Sequence, residues 1–435
     1  MYKRVFISLA LFVSLCNMEA ITTAANVLTA EAYVEVSDVV ENYNIENGVT
    51  ADFMNEVAYP DNDYSFTKIT DYIAIATSYR KDRPSPVRIE APATNSGKYL
   101  LLETYYDGKL VRSDNFPIGQ RALEIWNLIP QTQYTYKLYL VASNGKKSGL
   151  RQGTFKTEGQ VRMMNIDGMW NFRDIGGWKL ANGQRVKYDK IFRSGELEMV
   201  DNEEVKITEA GIHELLDVQN IGVEIDFGDN PGSPISGRLD YYNGDAYQIV
   251  GYAGGLNKLK EQYKNCFEKV VAGLRQGKKI LFHCNQGADR TGTFAFLLEG
   301  LLGVSESDLA KDYELTNFKY SGRYRNEESA DHKKGYKGII YFVNYKFNGK
   351  TLNEKIEKMA LGMGISQKDI NDFRKLMTEP DVEMIGTSSI RNNEAKGFYD
   401  NPEEVYDLSG RKVNISNSRL PKGIYIINGH KVVVK

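Results

Sequence analysis

Residues 279–303 read KILFHCNQGADRTGTFAFLLEGLLG, and this stretch predicts the fold of the domain around it. Lys279–His283 has the short apolar pattern of a buried strand, and Thr293–Leu302 has the pattern of an apolar helix that ends at Gly303. A strand that enters a helix through a tight loop directs backbone N–H groups and the positive end of the helix dipole at one place. That arrangement predicts an anion site.

Two side chains of this loop suit covalent chemistry on an oxyanion. A helix N-terminus and a nearby guanidinium both favour the thiolate form, so Cys284 is a candidate nucleophile. Arg290 can present two parallel N–H groups to an oxyanion, which a lysine cannot do. Thr291 adds a hydroxyl beside the sulfur, and His283 is placed to hold the thiolate or to serve the fold. An inert buried thiol is the alternative for a lone cysteine, and the spacing to the arginine argues against it.

The pattern His-Cys-x5-Arg-Thr at residues 283–291 resembles the signature of the cysteine-dependent protein tyrosine phosphatases. This resemblance implies that Cys284 is the nucleophile and that Arg290 clamps the phosphate. It also implies a cradle of backbone amides, contributed by Asn285, Gln286, Gly287, Ala288, Asp289 and Arg290.

A second stretch resembles the bacterial atypical subfamily of these phosphatases. WNFRDIGG at residues 170–177 and IFRSG at 191–195 are similar to its N-F-R-D-x-G-G and R-S-G segments. The subfamily's loop reads H-C-x-x-G-K-D-R-T-G, whereas Ala288 stands in place of the lysine here. The resemblance covers about residues 160–380 and implies that three further side chains support the loop, namely Asn171, Arg173 and Asp174.

Two aspartates are candidates for the general acid. In the wider superfamily the acid lies on a separate upstream loop, where this chain has Asp245. In the atypical subfamily the loop aspartate is itself a candidate, and here that residue is Asp289, which we prefer. The subfamily commonly carries an arginine after the strand aspartate, whereas this chain has Phe227 and Gly228 there, so one expected supporting charge is missing.

The resemblance implies hydrolysis of phosphomonoesters, and the substrate class stays open. Phosphotyrosine leads, inositol polyphosphates come second and phosphoinositide lipids third, because Ala288 removes a charge that would suit multiply phosphorylated rings. The non-enzymatic alternative is a surface adhesion protein or phosphate-binding scaffold. No metal or other cofactor is expected, since the four histidines lack ligand-like spacing; they are His213, His283, His332 and His430.

Composition and the amino-terminal segment indicate an exported protein. A length of 435 residues predicts two or three domains, and 55 basic against 57 acidic residues gives a net charge of −2, which does not favour a nucleic-acid partner. Residues 1–25 have the pattern of a secretory signal peptide, whose apolar run Val5–Leu15 is too short to span a bilayer. We therefore expect a secreted protein of the periplasm or cell surface.

The cysteines leave two further questions open. Cys16 raises the alternative of lipid attachment and hence anchoring to the cell surface, although Leu15 stands where a small residue would be expected. After removal of the signal peptide only Cys266 and Cys284 remain, which is no disulfide framework. Cys266 is expected to be a buried structural thiol.

The rest of the chain divides by pattern. Residues 26–67 are predicted to be a linker or edge segment, and 68–158 carry seven strand candidates at the spacing of an all-β sandwich. Within it, Leu128–Tyr136 and Gly153–Thr157 resemble the E–F corner and last strand of fibronectin type III modules, where a tyrosine hydroxyl bonds the backbone.

The carboxyl-terminal two thirds of the chain is predicted to hold an α/β domain and a short tail. Residues 160–380 alternate between strand and helix patterns, which predicts a parallel-core sheet flanked by helices. Residues 353–378 are predicted to be helical and resemble the closing helices of the phosphatase family. Residues 384–435 are predicted to form two small hairpins, with a turn at Asn428-Gly429. This tail resembles the sorting modules of the type IX secretion route, and an ordinary accessory β module is the alternative.

Overall fold

The computed structural model describes residues 40–55, 82–199, 202–228, 235–246, 255–318, 335–381, 405–407, 423–427 and 430–434. Among the helices in these ranges, none is both long and apolar enough to cross a bilayer. The predicted signal peptide at 1–25, and the first predicted sandwich strand near 71–79, lie outside them.

The amino-terminal part is all-β. Its strands are β1 (Glu41–Asn44), β2 (Val87–Glu90), β3 (Tyr99–Tyr106), β4 (Lys109–Phe116), β5 (Ala122–Ile125), β6 (Gln133–Val141) and β7 (Lys147–Glu158). Five of them form one sheet in the order β1-β7-β6-β3-β4, and β2 pairs with β5 in a second. Side chains alternate between buried and exposed along the strands; in β2, Val87 and Ile89 are buried and the residues that follow each of them are exposed. The buried side chains of the two sheets form one apolar core.

A buried tyrosine fixes the corner before β6. The ring of Tyr134 stacks on Phe155 with 5.4 Å between centroids. Its hydroxyl accepts a hydrogen bond of 3.0 Å from the backbone N–H of Ile129. The hydroxyl contact therefore ties the backbone of the corner to a ring that lies in the sandwich core.

The α/β domain (residues 160–381) is built on a five-stranded sheet. Its strands, with four that form small side pairs, are β8 (Arg173–Asp174), β9 (Gln184–Val186), β10 (Ile191–Ser194), β11 (Glu198–Met199), β12 (Asn202–Lys206), β13 (Ile221–Asp226), β14 (Asp240–Asn243), β15 (Lys279–His283) and β16 (Thr378–Pro380). The central order is β14-β13-β15-β10-β8, in which the first four are parallel and β8 is an antiparallel edge. A parallel core is therefore present, as the alternating sequence pattern predicts.

Apolar side chains cover both faces of this sheet. Ile280 and Phe282 of β15 enter one core cluster, and Leu281 between them enters another on the opposite face. The described helices are α1 (Gly48–Met54), α2 (Glu209–His213, continued by a π turn Glu214–Val218), α3 (Gly255–Arg275), α4 (Arg290–Leu302), α5 (Glu306–Leu315), α6 (Gly335–Lys346), α7 (Leu352–Gly362) and α8 (Gln367–Met377). The helical pattern predicted for residues 353–378 corresponds to α7 and α8, which Gly364, at a φ of +89°, separates.

Residues 40–55, within the segment predicted as a linker or edge, contact both domains. β1 extends the sandwich sheet, and Ile45 lies in the sandwich core. Eight positions further on, in α1, Phe53 belongs to the core of the α/β domain and meets Phe318 edge to face at 5.4 Å. This short segment therefore packs into two separate cores.

A polar cluster joins the sandwich to the α/β domain directly. Arg112 of β4 forms a 2.8 Å ion pair with Glu214, and both side chains are largely buried. Asn127 donates to the same carboxylate at 2.8 Å, and its own carbonyl accepts from Arg162 at 2.8 Å. The amide oxygen of Asn127 also accepts from the N–H of Asn165 at 2.7 Å. Each domain thus satisfies polar groups that the other buries.

The carboxyl-terminal tail contains a small antiparallel sheet of β17 (Val405–Asp407), β18 (Gly423–Ile427) and β19 (His430–Val434). Ile427 pairs with His430, so β18 and β19 are joined across residues 428–429. The predicted turn residues themselves lie outside the described residues.

Candidate active site

The candidate site lies where β15 ends. β15 runs between β10 and β13 in the parallel part of the sheet, and Cys284 follows its last residue with 4% of its surface exposed. Five residues after the cysteine the chain enters α4, whose N-cap position is Asp289. The loop therefore faces a helix N-terminus at the carboxyl edge of a parallel sheet, where open α/β folds bind ligands.

Gly287 is required by the shape of the loop. Its φ is +64°, and a Cβ there would lie 2.3 Å from the carbonyl oxygen of Ser194 and 2.7 Å from the amide nitrogen of Asn171. Both neighbours are buried, so neither can move away easily. A glycine is therefore the residue that lets the loop lie against β10.

The loop's carbonyl groups are held from behind. Asn171 donates through Nδ2 to the carbonyl oxygens of Gln286 and Gly287 at 3.1 and 3.0 Å, and Arg193 donates to that of Gly287 at 2.9 Å. In a trans peptide the following N–H points opposite to the carbonyl, so the N–H of Ala288 is directed away from these donors. These contacts thus orient the loop so that its backbone N–H groups face the side where an anion would bind.

Two buried arginines and one carboxylate hold that support in place. Arg173 donates to Asp312 at 2.8 Å through Nε and to its carbonyl at 2.7 Å, and Arg193 donates to the other carboxylate oxygen. All three side chains are at most 2% exposed. Burial alone would raise the pKa of Asp312, but Arg173 and Arg193 outweigh it and hold that pKa below its usual range.

Arg290 is the first residue of α4 and reaches across the loop. Its Nη1 donates to the carbonyl oxygen of Phe227, which follows β13. The backbone N–H of Phe227 in turn donates to the carbonyl oxygen of His283 at 2.8 Å. The guanidinium is therefore anchored at the end of the strand beside the one that carries Cys284.

His283 lies directly behind the nucleophile and is fully buried. Its Nε2 is 2.9 Å from Glu224, and its Nδ1 is 3.4 Å from Glu196 and 3.6 Å from Asp226. Burial alone would lower its pKa, but the hydrogen bond to Glu224 and the charges of Glu196 and Asp226 raise the pKa of His283 to about 9. Without another cation here, this imidazole carries a positive charge at neutral pH.

The two candidate acids occupy different positions at this edge. Asp289 receives a 3.5 Å contact from the hydroxyl of Tyr313, and its carbonyl accepts from the N–H and hydroxyl of Thr293 at 2.8 and 2.7 Å. Asp245 is exposed two residues after β14, with a φ of +39°. Both aspartates therefore lie on the carboxyl side of the sheet.

Comparisons with known proteins agree with this geometry. The sequence model of the tyrosine phosphatase family matches residues 164–379. This part of the chain is a tyrosine phosphatase family domain. The expectation of a tyrosine-phosphatase-like domain is thus confirmed at the level of the family.

Two relatives carry matching names. A protein of Cupriavidus necator named "Putative tyrosine-protein phosphatase" is 27% identical over 173 residues, covering 35% of this chain and 62% of that protein. A "Tyrosine-protein phosphatase" of Nostoc commune is 34% identical over 85 residues, covering 19% of this chain and 28% of that protein. The chain thus spans less than two thirds of the length of either relative.

The phosphatase domain brings most of the predicted site residues together. Cys284, Arg290 and the intervening residues form one loop, and Asn171 and Arg173 lie beneath it. Asp174 points elsewhere, since its carboxylate accepts from Gly176, Asp189 and Arg162. Thr291 is buried beside the loop, and its hydroxyl has no hydrogen-bond partner among the described residues.

Three residues that support the loop are not among those predicted from the sequence, namely Arg193, Asp312 and Asp82. Arg193 lies in the I-F-R-S-G segment that carries the resemblance, so a signal for it was present. Asp312 sits in an ordinary helix pattern. The carboxylate of Asp82 accepts a 2.6 Å hydrogen bond from the backbone N–H of Asn171, which lies 89 positions later in the chain. Contacts over such sequence separations leave no local pattern.

Proposed function

We propose that this chain is a secreted cysteine-dependent phosphatase that hydrolyses phosphomonoesters, with phosphotyrosine as the leading substrate class. The observation that supports it best is a single loop that carries Cys284 and Arg290, with its carbonyls tied back by Asn171 and Arg193. Such a loop presents amides and a guanidinium where negative charge develops on a transferring phosphoryl group. The family match to residues 164–379 supports the same reaction class.

In the first step, the Cys284 thiolate forms a bond to phosphorus as the bond between phosphorus and the ester oxygen breaks. The departing oxygen takes a proton from Asp289, so that a neutral alcohol or phenol leaves. The loop amides and the two N–H groups of Arg290 hold the three non-bridging oxygens. The product of this step is a cysteinyl-phosphate.

In the second step, water attacks phosphorus and the bond between sulfur and phosphorus breaks. The Asp289 carboxylate accepts the proton of that water, and inorganic phosphate leaves with the thiolate restored. The same amides and Arg290 serve both steps, because the charge on the three oxygens is the same in each.

The nucleophile can be tested by separating binding from turnover. Cys284→Ser should abolish hydrolysis of an aryl phosphate, while phosphate still raises the melting temperature, because the cradle and Arg290 remain. Radiolabelled substrate should leave covalently bound phosphate on the wild type and none on the variant after rapid quenching in denaturant. Turnover by Cys284→Ser near the wild-type rate would refute the covalent mechanism.

A substrate panel decides the class. Phosphotyrosine peptides, inositol hexakisphosphate and phosphoinositide vesicles should be compared by kcat/KM with the same preparation. We expect the peptides to lead, because Ala288 is fully buried and brings no charge to the loop. Higher values for either inositol substrate would reassign the class, and binding of all three without turnover by the wild type would favour the phosphate-binding scaffold.

The flanking segments support an exported location. We propose that residues 1–25 are cleaved as a signal peptide, that the sandwich is a fibronectin type III-like module, and that residues 384–435 act in sorting. The Tyr134 hydroxyl contact with Ile129 supports the second assignment. Mass spectrometry of the protein recovered from medium, periplasm and cell surface should show loss of the first segment, and an intact cytoplasmic chain would contradict export.

A further inference from the structure

Three buried side chains converge behind the loop from the ends of three parallel strands. Asp226 and His283 are the last residues of β13 and β15, and Glu196 follows β10 by two positions. All three are at most 5% exposed. One ligand-type atom from each lies within 4.8 Å of the others. Two carboxylates that close together, away from water, repel each other unless a cation lies between them or one of them takes up a proton.

A fourth carboxylate orients the histidine. Glu224 lies 2.9 Å from Nε2 of His283, and because an ionised carboxylate only accepts, that nitrogen carries a proton. The other nitrogen, Nδ1, has no hydrogen-bond partner among the described residues and is directed at Glu196 and Asp226. A carboxylate that fixes one imidazole nitrogen while the other faces ligand oxygens is the arrangement found around protein-bound metal ions.

The spacing indicates the class of ion. Atoms bound to zinc at about 2.0–2.2 Å in a tetrahedron lie about 3.3–3.6 Å apart. Nδ1 of His283 is 3.4 Å from the Glu196 oxygen and 3.6 Å from the Asp226 oxygen. An imidazole with two carboxylates suits zinc and its transition-metal neighbours, whereas magnesium and calcium prefer oxygen alone.

Space for the ion's surroundings is preserved by a glycine. The position that a Cβ of Gly228 would take is 2.5 Å from Glu196 Oε2, 2.8 Å from Asp226 Oδ1 and 3.4 Å from Asn285 Oδ1. The Asn285 oxygen is buried and has no hydrogen-bond partner among the described residues. Any larger residue at 228 would displace these oxygens.

We propose that Glu196, Asp226 and His283 bind one divalent transition-metal ion of the zinc class, with Glu224 as the outer carboxylate. The ion takes no part in the phosphoryl transfer. It neutralises the buried carboxylates and fixes the strand end from which Cys284 emerges. Ligand spacing along the sequence does not reveal the site, because each ligand comes from a different strand.

The test measures metal binding in the full-length Cys284→Ser variant, so that neither the thiolate nor phosphatase activity enters the readout. After removal of metal with a chelator, zinc is titrated by calorimetry, and Co²⁺ is added separately to record the visible absorption of a tetrahedral site. Glu196→Gln, Asp226→Asn and Gly228→Ala, each in this background, should weaken zinc binding at least tenfold. Glu224→Gln keeps all three ligands and should weaken it about 10–100-fold.

The matched control is His213→Asn. His213 and Asp217 form an exposed pair at 2.8 Å, which is the kind of surface site that binds zinc weakly. This variant should leave the tight site and the Co²⁺ spectrum unchanged. If Cys284→Ser binds no zinc, or if only His213→Asn loses it, the proposal is overturned, and the cation between the carboxylates is then the proton on His283.

Discussion

Asp312→Asn tests how the phosphatase loop is held in place. The carboxylate of Asp312 is shared by two buried guanidiniums, those of Arg173 and Arg193. The substitution keeps the shape of the side chain, removes its charge and turns an N–H₂ group toward donors. Two buried positive charges then lack their partner, and Arg193 loses the contact that positions it on the Gly287 carbonyl.

The size of the effect follows from burial. Breaking one partner of a buried ion pair costs about 3–5 kcal/mol, out of a total stability of about 5–15 kcal/mol. Burial and the neighbouring Asp312 raise the pKa of Glu299 well above its usual range. In the variant Glu299 can lose its proton and replace part of the missing charge. We therefore expect the free energy of unfolding to fall by about 3 kcal/mol, the lower end of that range. Adding Glu299→Gln should remove this compensating charge and lower the free energy of unfolding further.

Urea unfolding followed by tryptophan fluorescence measures the change. Trp170 and Trp178 are buried in the phosphatase domain, so their signal reports on it. With an m value of about 3 kcal/mol per molar, the midpoint should fall by about 1 M. Because the pKa of Asp312 is lowered, its contribution is present above the unfolded value of about 3.9 and disappears as pH falls further. The difference between the variant and wild type should therefore start to shrink as pH falls below about 4, and it should disappear only below the lowered pKa of Asp312.

The matched control is Asp372→Asn, which makes the same chemical change in an exposed ion pair. Asp372 meets Arg275 and Lys368 at the surface, where solvent screens such pairs and they contribute little to stability. If Asp312→Asn shifts the midpoint no more than this control, and Glu299→Gln adds nothing, the buried arginines do not depend on the carboxylate.

Three further predictions concern the loop. Arg290→Lys should lower kcat on an aryl phosphate by about a hundredfold or more, because a point charge cannot replace two parallel N–H bonds; a change of a few fold would make the arginine structural. Gly287→Ala should abolish phosphate-dependent thermal stabilisation, whereas Gly277→Ala, also at positive φ but with nothing within 4 Å, should cost only about 1–2 kcal/mol of stability. Asp289→Asn should slow tyrosine-like phosphates far more than activated aryl phosphates, measured as kcat/KM; the same selectivity in Asp245→Asn would transfer the acid role to that residue.

The contiguous part of the site could be predicted from the sequence. Cys284, Gly287 and Arg290 lie within seven consecutive residues, and an apolar strand before them and an apolar helix after them determine their surroundings. Local rules of strand, turn and helix formation apply over this length. The parallel sheet followed from the same alternation of patterns, since such crossovers need helices between strands.

The supporting contacts could not be predicted in this way. Asp312 meets Arg173 across 139 positions, and Asp226 meets His283 through the register of two strands. Neither leaves a local pattern. The division between α7 and α8 did have a signal, because Gly364 precedes Ser366, whose hydroxyl caps the new helix by accepting from Asp369.

The contacts of the amino-terminal segment bear on how this catalytic unit can be inherited. The family match begins at residue 164, yet Asp82 bonds the backbone of Asn171 and Phe53 fills part of the catalytic core. A gene fragment that starts at the family boundary would leave one buried N–H without its acceptor and a hollow where an aromatic ring belongs. Recombination that exchanges the sandwich for another module must therefore carry these residues along, so the two parts of the chain are expected to evolve as one unit.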